Sequence, residues 1–93
     1  MEENFEWDLG KEAINIEKHE ISFVKASKAF HDPLRRIILD DKHSAYEQRM
    51  FCVGMVEGKV ITIRFVYRNN KIRILGAGYW RKGRKFYEKR NLR

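Results

Sequence analysis

Histidine is the side chain that gives and takes protons nearest neutral pH, and this sequence has three, His19, His31 and His43. Arginine presents a planar fork that matches two phosphate oxygens at once, and Arg64, Arg68 and Arg73 fall within ten positions. Glu47 and Arg49 have alternating spacing, so on an extended segment they point the same way. That places a carboxylate base beside a cation, or else forms a cross-strand ion pair. From Tyr79 to Tyr87 aromatic and cationic residues interleave: Tyr79, Trp80, Arg81, Lys82, Arg84, Lys85, Phe86, Tyr87. Aromatics stack bases while cations hold phosphates, a pattern that suits single-stranded RNA. Proton-transferring and cationic side chains together suit chemistry or binding at a phosphate.

Each has a plainer reading. His19 is the strongest proton-transfer candidate, but at a helix end it also suits the last carbonyls. His43-Ser44 could contact RNA or order its loop, and reads first as loop ordering, while His31 reads as an exposed helix-end residue. Trp80, Phe86 and Tyr87 are expected to pack a terminal helix on a sheet while the neighbouring charges face water. Trp7 and Asp8 are explained by core filling and helix capping.

The chain has 93 residues, 20 Lys+Arg and 13 Asp+Glu, a formal charge of +7. That length implies one domain over residues 1–93. The charge is segregated: residues 1–57 carry 8 basic and 12 acidic side chains, residues 58–93 carry 12 basic and 1 acidic. A basic half on a small domain points to a polyanion, nucleic acid first and an acidic protein second. No apolar run approaches ~20 residues, so no membrane-spanning helix is expected. The acidic start Met1-Glu2-Glu3-Asn4 does not read as a secretory signal. A lone Cys52 forms no internal disulfide, and one thiol with three scattered histidines makes no cysteine-rich zinc site. No cofactor is expected, and a reducing cytoplasm is the simplest compartment.

The elements that must position these residues follow from periodicity. Phe5-Glu6-Trp7 reads as a short extended piece. Asp8 caps a helix over about 9–19 with Leu9, Ala13 and Ile16 as its apolar stripe. Ser22 caps a second over about 23–30, ended by Pro33. Ile37-Ile38-Leu39 is a short apolar run. Strands are expected over Met50–Val56, Val60–Tyr67 and Lys71–Leu75, joined at Glu57-Gly58 and Asn69-Asn70, with Gly76-Ala77-Gly78 breaking the last. In the clearest strand Ile61, Ile63 and Phe65 face one way and Thr62, Arg64 and Val66 the other. Residues 81–91 permit a basic helix. The fold class is α+β: two N-terminal helices on a three- to four-stranded antiparallel sheet, then a C-terminal helix, with the helices on one face. The other face, carrying Arg64, Arg73 and Arg49, stays partly open.

The ordered residues resemble a known family. Phe5-Glu6-Trp7-Asp8, Lys11, Asn15, Lys18-His19 and Ser22-Phe23 follow the spacing FEWDxxKxxxNxxKHxxSF. Ala26, Phe30, Asp32-Pro33, Asp40, His43-Ser44, Glu47, Arg49, Gly54, Arg73-Ile74, Ala77 and Tyr87-Glu88 continue it. This set, covering residues 5–88, is similar to the BrnT family, the ribonuclease toxins of bacterial toxin–antitoxin pairs. The resemblance implies a RelE-like fold, metal-independent RNA cleavage, inhibition of translation and neutralisation by a BrnA antitoxin. That antitoxin binds DNA, so the toxin meets DNA only through it. Many members read RIISAR after the last strand, and here the second Arg position is Gly78, with Arg81, Lys82 and Arg84 just beyond. Arg84 also stands where a Glu is common.

Taken with the residue reading, the resemblance gives a candidate catalytic set of His19, Glu47, Arg49, Arg73 and Tyr87. The candidate RNA contacts are Lys18, Arg64, Arg68, Tyr79, Arg81, Lys82 and Arg84. Two other readings stay open: a module that grips RNA or DNA without cutting, and an interaction protein whose basic face receives an acidic partner.

Overall fold

A computed structural model describes residues 4–91; the acidic start Met1–Glu3 lies outside the described residues. Strand β1 (Phe5–Trp7) leads through Asp8 into α1 (Leu9–His19), followed by α2 (Phe23–Ser27) and a 3-10 turn over Lys28–His31. Next come β2 (Arg36–Asp40), a 3-10 turn (Asp41–His43), β3 (Arg49–Val56), β4 (Lys59–Arg68), β5 (Lys71–Gly78) and α3 (Arg81–Asn91). Among the described residues no helix is long and apolar enough to cross a membrane.

Local chemistry sets these boundaries. The Asp8 carboxylate accepts from the Lys11 N–H and the Ser22 hydroxyl from the Lys25 N–H, each satisfying a donor left open at a helix start. Glu57 and Gly58 (φ 52° and 83°), like Asn69 and Asn70 (54° and 63°), take positive φ at both turn positions. Such turns twist with the strands they join and make β3–β4 and β4–β5 tight hairpins.

The sheet has five strands in the order β1-β5-β4-β3-β2, and it is mixed because β1 runs parallel to β5. Two elements beyond the expected meander account for the difference. The Phe5–Trp7 segment pairs with Ile72–Ile74, and the apolar run at Ile37 becomes an edge strand on β3. Gly76-Ala77-Gly78 continues β5 rather than breaking it, past a register shift at Arg64/Phe65.

One face carries the main core. Ile61, Ile63, Phe65, Ile72, Ile74 and Cys52 pack under Ile21, Phe23, Ala26 and Phe30. Phe5 and Trp7 close the core with ring contacts to Phe30 and Phe23. The α1 stripe differs from expectation: Leu9 is 76% exposed, Ile16 is also exposed, and Asn15 is the residue turned inward. Its amide donates to the Ile21 carbonyl and accepts the Ala77 N–H of β5. Strand β1 reaches only as far as Ile74, so the rest of that edge needs a polar partner.

The opposite edge is finished the same way. Strand β2 covers β3 only to Val53, and beyond it the Asp32 carboxylate accepts the Met55 N–H. The same oxygen, Oδ2, accepts the Tyr87 hydroxyl at 2.5 Å. Helix α3 is thereby fixed on the second face, not on the face shared by the other helices. There Gly83 presses against Thr62, Tyr87 packs with Val53 and Val60, and the Arg36 guanidinium lies 3.7 Å over the Phe86 ring.

Burial, and then the bond to Asp32, push the Tyr87 hydroxyl up to about 12 from its ordinary 10.0. Burial tends to raise Asp32, but the hydrogen bonds from Tyr87, Met55 and Leu34 outweigh it and hold that carboxyl below its usual value. An unfolded chain releases the phenol proton near pH 10 and the folded chain only near 12. Stability is therefore complete below pH 10 and declines by roughly 1.4 kcal/mol per pH unit above it. Urea unfolding of Tyr87→Phe should show a loss of about 1–3 kcal/mol at neutral pH, from a carboxylate deprived of its donor. It should also show a flatter profile between pH 10 and 12. An unchanged midpoint would contradict the lock.

Candidate nucleic-acid interface and active site

The strand register sorts the second face into rows. The row under α3 is Gly78, Thr62, Val53 and Arg36. The next is Gly76, Arg64, Phe51 and Ile38, and beyond it Glu6, Arg73, Val66, Arg49 and Asp40. Helix α3 covers the first row only. The face beyond it therefore carries Arg49 and Arg64 exposed and Arg73 half-buried, on three adjacent strands. Side chains paired across a ladder stand about 5 Å apart at Cβ, and diagonal ones about 7–8 Å. The arginines are thus spaced to share one polyanion.

The glycines of β5 make room on this face. A Cβ at Gly76 would come 2.5 Å from Arg64 Nη2, and one at Gly78 would come 2.8 Å from the Trp80 indole. Gly78 therefore lies beneath Trp80. Between the sheet, the β2 end and the start of α3 is a cleft of about 780 Å³ lined by Ile38, Phe51, Arg64, Trp80 and Phe86, with Arg81 and Lys82 also in the lining. The lining is mostly apolar, with the cations Lys42, Arg64, Arg81 and Lys82 and the carboxylates Asp40 and Asp41 among it.

Carboxylates brace the arginines. Glu6 lies 3.3 Å from Arg73 Nη1. Glu47 takes Arg68 in a two-pronged contact, 3.0 Å to Nε and 2.7 Å to Nη2. That bond, with Arg49 and Arg73 nearby, holds the Glu47 carboxyl below its usual value against a smaller opposing effect of burial. Glu47 and Arg49 do share a face as expected, but Arg68 is the ion-pair partner.

The other candidates separate. His19 ends α1 with its ring 5.7 Å from Trp80, at the Gly78 end of β5. Glu47 and Arg68 sit at the Lys71 end. Eight residues of strand span roughly 25 Å, so His19 is not joined to Glu47 and Arg73 in one cluster. Tyr87 is buried on Asp32 and closed to a substrate. Tyr79 lies with Lys59, 5.3 Å away, outside the cleft lining. Arg84 is exposed, 4.0 Å from Glu88. Lys18 is exposed on α1, and His31 is exposed as expected.

The sequence reading passed over one pair. Asp40, buried at the end of β2, lies 2.9 Å through Oδ2 from His43 Nδ1. The Asp-x-x-His spacing ahead of a turn was the available signal.

The chain is thus a small α+β domain with helices on both faces of a five-stranded mixed sheet and an arginine face beside a cleft. A family model described as "ribonuclease toxin, BrnT, of type II toxin-antitoxin system" matches residues 7–83. The chain belongs to this family of ribonuclease toxins, and an RNA substrate and an antitoxin partner come with it. None of the curated proteins matches the chain.

Because Trp80 covers Gly78, the variant Gly78→Ala should displace the indole and move tryptophan emission to longer wavelength. An unchanged spectrum would contradict the packing.

Proposed function

We propose that the chain is a metal-independent endoribonuclease that cuts RNA on the open half of its second sheet face and so inhibits translation. The observation that carries this reading is the alignment of Arg49, Arg64 and Arg73 on three adjacent strands beside the cleft. Fixed guanidinium groups of this kind stabilise charge developing on phosphate oxygens without help from a cation. Arg81 and Lys82 guide the strand at the cleft and supply the charge that position 78 lacks. Glu47 holds Arg68 in place, and His19 supports Trp80. The two N-terminal helices over the antiparallel β3-β4-β5 core support a RelE-like arrangement.

In this reading a BrnA-like antitoxin neutralises the toxin by covering the same cations, and DNA is met only through that partner. The cytoplasm, where RNA and ribosomes are, is the working compartment.

Full-length protein freed of antitoxin should cleave single-stranded RNA in EDTA. Arg64→Ala and Arg73→Ala should each lose about 10²–10³-fold in rate, and each should lower the salt dependence of RNA binding by about one ion. Lys11→Ala, on α1 in the opposite layer, should cut normally. Salt-dependent binding that leaves the RNA intact would instead identify a non-catalytic RNA- or DNA-binding module. Tight antitoxin binding with no RNA affinity would identify a pure interaction protein.

A further inference from the structure

Among the described residues, the expected proton-moving groups do not serve the arginine face. Both oxygens of Glu47 are engaged by Arg68, and His19 lies at the far end of β5. Asp40 stands at the border of that face and holds His43, itself outside the cleft lining, by a 2.9 Å contact. Asp40 is in register with Arg49, at the end of the row that contains Arg73, and it lines the cleft. One turn of 3-10 helix, Asp41–His43, returns the chain so that residue i+3 lies over residue i. The Asp40 side chain is 10% exposed and that of His43 62%. A carboxylate only accepts, so it fixes the proton on Nδ1 and leaves Nε2 of the neutral ring with its lone pair. The ring is thus held from behind and open in front.

A loop latch would not need this histidine. Ser44 already closes the turn, its hydroxyl donating to the Asp40 carbonyl at 2.6 Å and accepting the Arg49 N–H at 3.0 Å. These two bonds also tie the histidine-bearing turn to the strand that carries Arg49.

We propose that His43 is the general base of the RNA-cleaving site and that Asp40 is its positioning residue. The inference rests on the ribonuclease reading above. His43 Nε2 takes the proton of a ribose 2′-hydroxyl, and the 2′-oxygen forms a bond to the adjacent phosphorus. The bond from phosphorus to the 5′-oxygen breaks. That oxygen leaves with the electron pair and takes a proton from water, and the imidazolium later returns its own to solvent. The products are a 2′,3′-cyclic phosphate and a 5′-hydroxyl, with no net change in charge or oxidation state. Asp40 stabilises the imidazolium as it forms, and the arginines hold the non-bridging oxygens.

The test is single-turnover cleavage of a single-stranded RNA oligonucleotide in EDTA by the full-length chain. His43→Asn keeps an amide donor for Asp40, so the turn should survive. The expected result is a rate lowered by about 10²–10⁴-fold with RNA affinity unchanged. His43→Ala should be equally slow and partly rescued by added imidazole, which a merely structural role would not allow. Asp40→Asn should lower the rate and spare affinity. If wild type cuts and His43→Asn cuts at the same rate, the assignment of His43 is overturned while the ribonuclease reading stands. Loss of affinity in parallel with rate, or no rescue by imidazole, also overturns it. A wild-type chain that leaves RNA intact overturns the ribonuclease reading itself.

Discussion

Each edge of the sheet is only half paired, and a polar side chain completes it: buried Asn15 on the Ala77 N–H, half-buried Asp32 on the Met55 N–H. An unpaired backbone donor in the interior costs about as much as a lost hydrogen bond, so the Asn15 contact to the buried Ala77 N–H is obligatory. Asp32 has a second duty, because the oxygen that meets Met55 also accepts the Tyr87 hydroxyl. The group that ends the sheet therefore also decides where α3 lies. Helix α3 covers one row of the second face and leaves the next two open, and that boundary creates both the cleft and the arginine surface.

Stacking cations on one face costs repulsion, and the protein offsets it locally. Glu6 and Glu47 neutralise Arg73 and Arg68 from the margins, while Arg64 lies over Gly76 with no carboxylate partner among the described residues. Cations left to their own company bind a polyanion most strongly, because no internal partner has to be displaced first. The charge asymmetry of the sequence thus becomes a surface: the acidic first half supplies the braces and Arg49, and the basic second half supplies Arg64, Arg68 and Arg73. An antitoxin that offers carboxylates to the same cations competes with RNA by the same physics.

Much of the fold was legible because it is written in short-range chemistry. Asp8 and Ser22 announce helix starts, Asn69-Asn70 announces a hairpin, and the alternation from Val60 to Tyr67 sorts core from face. What escaped depends on distant partners. No local pattern says that Phe5–Trp7 pairs with Ile72–Ile74, or that Asn15 rather than Leu9 or Ile16 turns inward. Gly76-Ala77-Gly78 looks like a breaker until Arg64 and Trp80 are seen to occupy the space above the glycines. For the site, Arg49, Arg64 and Arg73 could be grouped by strand parity alone. Tyr87 could not be distinguished from a reactive tyrosine without Asp32 in view, and His43 looked like a loop residue until Asp40 was seen behind it.

The central claim is that cations on a sheet face, helped by a proton acceptor, drive the RNA's own 2′-hydroxyl onto the neighbouring phosphorus. The chemistry of the cut ends tests this most directly. Mass spectrometry of the fragments made in EDTA should show a 2′,3′-cyclic phosphate on one side of each cut and a 5′-hydroxyl on the other. Fragments ending in 3′-hydroxyl and 5′-phosphate would mean that water attacked instead, and would contradict the account.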